Sequence, residues 1–131
     1  MSYNLFLDDF RFPHDAYKYT YRSIYNEKEW VIVRNYNDFI NYIIKHSIPD
    51  IISFDHDLGF EHYNNYSYGD VINYDEFKEK TGYDCAKWLI DYIIENDLTP
   101  PKEILIHSMN PIGGENIKKL FTNFYKYYYD I

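Results

Sequence analysis

Four short apolar runs divide the chain, and three of them stop abruptly at a polar cluster. Tyr3–Leu7 ends at Asp8-Asp9 and reads as a buried strand. Trp30–Arg34 (WVIVR) is β-branched and predicts a second strand. Asp50–Phe54 (DIISF) runs into Asp55-His56-Asp57, and Glu103–Ile106 (EILI) runs into His107-Ser108. Between these runs the period changes from two to nearly four. Asn37 is placed to cap a helix over DFINYIIKH, with Phe39, Ile40, Ile43 and Ile44 on one face and Pro49 beyond its end. Tyr83–Glu95 predicts another helix, striped by Ala86, Leu89, Ile90, Ile93 and Ile94. Gly113-Gly114 reads as a turn opening a last helix, Glu115–Tyr127. Phe10–Lys28 contains Pro13, shows no clean period, and reads as loop. Residues 59–81 are rich in Gly, Tyr, Asn and Asp and read as an exposed insertion, with a short helix near Asp75–Lys80, able to cover a site.

Strands alternating with helices predict an α/β fold: a mostly parallel sheet with helices on its faces. The length of 131 residues and the absence of a linker or repeat predict one domain over 1–131. Hydrophobic residues at 46% supply a core without disulfides, and the lone Cys85 lies in the apolar stripe, fitting a reducing compartment. No apolar run approaches the roughly 18 residues that span a bilayer. The N-terminus has no basic region ahead of an apolar stretch, so a cytoplasmic location is expected. The net charge of −8 argues against broad nucleic-acid binding. It leaves room for a small anionic ligand, because a divalent cation inverts the local charge. The 17 tyrosines, with many Asn, Ile and Lys, fit an AT-rich genome, and the Tyr-rich tail reads as that bias.

In a parallel sheet, ligands bind beyond the carboxyl ends of the strands. Asp8, Asp9 and Asp55 therefore form the candidate metal set, since clustered carboxylates repel unless a cation such as Mg²⁺ or Mn²⁺ lies between them. Alone, Asp8-Asp9 could as well be a solvated turn or cap. His56 and His107 are candidate acid–base groups, with Asp57 beside them. Ser108, Asn110, Gly113 and Asn116 precede or open the last helix, where free N–H groups favour phosphate, though Ser and Asn are also ordinary turn formers. Arg11 either clamps a phosphate or pairs with the neighbouring aspartates. Asp84 reads as a helix cap, and His14, His46 and His62 as surface residues.

Taken in order, LFLDDFRFP, ISFDHDLGF, TGYDCAKWL and HSMNPIGGENI resemble the cyclic-phosphate processing receiver domains, a family similar to response-regulator receivers. The resemblance implies a receiver-like, flavodoxin-like three-layer sandwich. In receivers an acidic pair after strand one and an aspartate after strand three hold Mg²⁺, and that aspartate accepts a phosphoryl group. Those roles fall on Asp8, Asp9 and Asp55, with the hydroxyl switch position at His107-Ser108. The pattern stops after the fourth-strand helix, without a fifth strand or its lysine, which disfavours phosphorelay. The expected function is a metal-dependent phosphoesterase opening a cyclic phosphate or cyclic nucleotide. The alternative is a module that sequesters a cyclic-nucleotide signal, in keeping with a phage or viral protein blunting host immunity. Nothing in the sequence fixes an oligomeric state.

Overall fold

The computed structural model describes residues 2–59 and 80–128. Its order is β1 (Asn4–Leu7), α1 (Pro13–Thr20), α2 (Ile24–Glu27), β2 (Val31–Val33), α3 (Tyr36–His46), β3 (Ile51–Phe54), α4 (Gly82–Asn96), β4 (Glu103–Ile106) and α5 (Pro111–Tyr128). The sheet is parallel throughout, in the order β2-β1-β3-β4. The chain leaves β1 toward one edge and β3 toward the other, so the switch point lies between these two strands. Leu7 pairs with Phe54, which sets Asp8 and Asp55 side by side at that point.

The period-two alternation sorts side chains to two faces. Leu5, Leu7, Ile52 and Phe54 meet Phe39 and Ile43 of α3, Cys85, Ala86, Leu89 and Ile93 of α4, and Ile117 and Phe121 of α5. Phe6 and Leu105 face the other way, onto Ala16 of α1 and Tyr25 of α2. Cys85 is in the core, as its place in the stripe implies. Ile44 and Ile94 are exposed, so each predicted stripe is narrower by one residue than its pattern.

Three boundaries differ from the sequence reading. Residues 10–28 are not one loop but carry α1 and α2. Pro13 opens α1, where its missing N–H costs nothing, and the Phe12 N–H is accepted by Asp15. In α3 the cap is Asn35, not Asn37: the Asn35 side chain accepts the Asp38 N–H at 2.8 Å. The helix ends at Ser47 (φ 76°), before Pro49. Helix α5 begins at Pro111, with Gly113 and Gly114 inside its first turn rather than in a turn before it. The predicted insertion and its helix at 75–80, with His62, fall outside the described residues except at their margins.

Candidate functional site

β1, β3 and β4 each turn to a polar cluster at the carboxyl end, where the chain leaves the sheet. Asp8 and Asp55 nonetheless stay buried, at 0% and 2% exposure. One carboxylate oxygen from each of Asp8, Asp9 and Asp55 lies within 4.8 Å of the other two. Ligands about 2.1 Å from Mg²⁺ stand at most about 4.2 Å apart, so this trio needs only a small contraction around an ion. Asp55 Oδ1 accepts the His56 N–H at 2.9 Å, while Oδ2 is buried without a hydrogen-bond partner. An orphaned buried carboxylate oxygen beside two further carboxylates fits a hard divalent cation. Burial, then the charge of Asp8, raises Asp55 well above the usual carboxylate range.

Asp8 is held differently. Its Oδ1 accepts the Phe10 and Arg11 N–H groups at 3.0 and 2.9 Å. Its Oδ2 accepts from His107 Nε2 at 3.0 Å and, more weakly, from Arg11 Nη1 at 3.4 Å. Burial alone would raise its pKa, but the bonds from His107 and from the two backbone amides outweigh it and hold Asp8 below the usual range. Arg11 Nη1 also stands 3.8 Å from Asp55 Oδ2. The guanidinium thus sits as a counterion on the edge of the acidic trio.

Behind Asp8 runs a buried relay. Burial keeps His107 below its usual range, so its contact with Asp8 is a neutral imidazole donating Nε2–H to a carboxylate. Nδ1 must then accept, and Ser53 Oγ donates to it at 2.7 Å. Ser53 in turn accepts from the Tyr25 hydroxyl at 2.7 Å. The His107 ring stacks on Phe6, with 4.2 Å between ring centres. Ser53 and Tyr25 escaped the sequence reading. A serine between Ile52 and Phe54 looks like dilution of an apolar strand, and Tyr25 lay in a segment taken for loop. A hydroxyl inside a buried strand was the available signal.

His56 is fully buried and packs elsewhere. Its Nδ1 bonds Asp57 Oδ1 at 2.8 Å, and Asp57 also accepts from Asn110 Nδ2 at 3.4 Å. A Cβ on Gly113 would lie 2.3 Å from the His56 ring, so this glycine is the seat of that ring. Gly82 does the same for the backbone: a Cβ there would come within 1.8 Å of the Asp55 carbonyl oxygen, and its N–H donates to the His56 carbonyl. Thr81 and Asp84 close a capping box around it, which gives Asp84 the capping role expected of it.

The structure therefore brings Asp8, Asp9, Asp55, Arg11 and His107 together, and places the other candidates around them. Asn110 Oδ1 accepts the Gly113 N–H at 3.0 Å and so caps α5, while Ser108 Oγ accepts the Asn110 N–H at 3.1 Å and closes the turn before the helix. Asn116 lines a separate cavity with Tyr83, Lys119 and Asn123 on the seam of α4 and α5. His14 and His46 are on the surface.

The cyclic-phosphate processing receiver domain family matches the chain over residues 3–123. The chain belongs to that family. The match spans all four strands and the acidic trio, and it ties this receiver-like fold to a role in cyclic-phosphate processing. Comparison with curated proteins and with solved structures gives no match. Among the described residues of this receiver-family chain, no helix is long and apolar enough to cross a membrane.

Proposed function

We propose that this chain is a metal-dependent phosphoesterase that opens a cyclic phosphate. The observation that carries the reading is the unbonded, buried Asp55 Oδ2 set among Asp8, Asp9 and Arg11. Asp8, Asp9 and Asp55 would hold Mg²⁺ or Mn²⁺, which when bound polarises a phosphoryl oxygen and lowers the pKa of water. Arg11, with its side chain 14% exposed, is the cation able to turn from the carboxylates to a phosphoryl oxygen. With the cation lowering the pKa of water, the buried Asp55 carboxyl beside it is the group placed to take the water's proton. The water oxygen bonds to phosphorus, one ring P–O bond breaks, and the proton held by Asp55 passes to the departing oxygen. The product is a phosphate monoester. His107 acts through Asp8 as a positioning residue, and His56 and Asp57 brace the loop that carries Asp55.

Purified chain with Mn²⁺ is expected to convert one or more of 2′,3′-cyclic, 3′,5′-cyclic and cyclic oligonucleotides to ring-opened product on chromatography. Binding without conversion across that panel would overturn catalysis and leave the second reading, a module that sequesters a cyclic nucleotide. That reading is favoured by one feature: His56 and His107 are both engaged by carboxylates and sealed from solvent.

A further inference from the structure

A cavity of about 700 Å³ opens beside the acidic trio, lined by Asp9, Arg34, Asn35, Tyr36, Asn37, Leu58 and Lys80. It shares Asp9 with the trio, so a ligand anchored at the carboxylates extends directly into it. Its wall is of opposite character. Among the described residues that line it, two cations, Arg34 and Lys80, face one acid, and Asn and Tyr supply the other polar groups.

Arg34 is anchored for this position. Its Nη1 donates to the carbonyls of Asp8 at 3.2 Å and Arg11 at 2.7 Å, and its guanidinium lies 4.7 Å from the centre of the Phe12 ring. These contacts fix the stem of the group and the loop that carries Asp8, but they use no carboxylate. Among the described residues, neither Arg34 nor Lys80 has an acidic partner, so their charge is available to an anion. A planar guanidinium held by one nitrogen still presents donors in the fork that suits phosphate.

Resting on the phosphoesterase reading, we infer that this cavity is a subsite for a second phosphate group of the substrate. The ligand class is a nucleotide-type molecule that bears an open phosphate as well as the cyclic one. The cyclic phosphate lies at Asp8, Asp9 and Asp55, and the second phosphate lies between Arg34 and Lys80. The cavity's volume is ample for the sugar that links the two.

The test compares adenosine 2′,3′-cyclic phosphate with its 5′-phosphorylated counterpart on the full chain with Mn²⁺, reading Kd, or KM where the nucleotide is consumed. The wild-type chain is expected to prefer the 5′-phosphorylated form by about tenfold. Lys80→Glu is expected to cut that preference to about twofold or less, and Lys80→Arg to keep it. Equal affinity of the wild type for the two nucleotides would overturn the subsite alone. A preference unaltered by Lys80→Glu would also overturn it. Failure of both nucleotides to bind a chain that still titrates Mn²⁺ would overturn the phosphoesterase reading, and the subsite with it.

Discussion

Asp55 and Asp8 are neighbours of one chemical type under opposite constraints. Asp55 is raised by burial and by the charge of Asp8, so its folded-state affinity for a proton exceeds its unfolded one. Its stabilising contribution is therefore present below pH 3.8 and is lost as the pH rises through the folded value. It follows that Asp55→Asn should stabilise chelator-treated protein at pH 7, raising Tm by about 3 °C or more, and should abolish the Tm gain that Mg²⁺ confers on the wild type. A Tm lowered by the substitution in chelator would contradict this account of the charge balance. His107 has the reverse sign. Burial depresses its pKa, so its contribution is present above pH 6.5 and declines as pH falls through the folded value. Urea unfolding of metal-free Asp55→Asn protein, in which the opposing titration of Asp55 is removed, should show that decline between pH 7 and 5, and adding His107→Gln should flatten it. Arg11 competes with a cation for the edge of Asp8 and Asp55. Calorimetric titration of Arg11→Met is expected to give about three- to tenfold tighter Mn²⁺ binding, because a like charge has been removed.

At the scale of elements, the site depends on how closely α4 and α5 approach the loop after β3. Gly82→Ala would drive a methyl into the Asp55 carbonyl, which is backbone and cannot turn aside. Its expected cost is about 3 kcal/mol or more by chemical denaturation, with Mn²⁺ affinity reduced because Asp55 moves. Thr81→Ala removes only a cap and is expected to cost about 1 kcal/mol. The core elements were legible because their side chains repeat at 2.0 or 3.6 residues over enough length. Helices α1 and α2 were not. Each is short, and in each a single residue, Ala16 or Tyr25, is buried. Their helicity comes from Pro13 at the first position and from docking on Phe6 and Leu105, which no local pattern records. The start of α5 was hidden for a related reason. Gly113 reads as a turn residue in isolation, yet the ring of His56 demands a glycine inside the helix.

For the whole molecule, the order β2-β1-β3-β4 puts the switch point, the acidic trio and the flanking cavity at one end of the sheet. The apolar and polar spacing along the chain determined the strands, their parallel α/β arrangement and the three polar strand ends. Each of these follows from backbone geometry over a few residues. The acidic trio was legible too, because carboxylates directly after buried strands are forced toward a common rim. The tertiary structure alone decided which side chains share an atom's reach. It put Arg11 over two carboxylates, Ser53 and Tyr25 behind His107, and the His56 ring against Gly113 and Asp57. Such contacts join residues up to 99 positions apart, and they are set by packing of faces whose depth and rotation no one-dimensional pattern encodes.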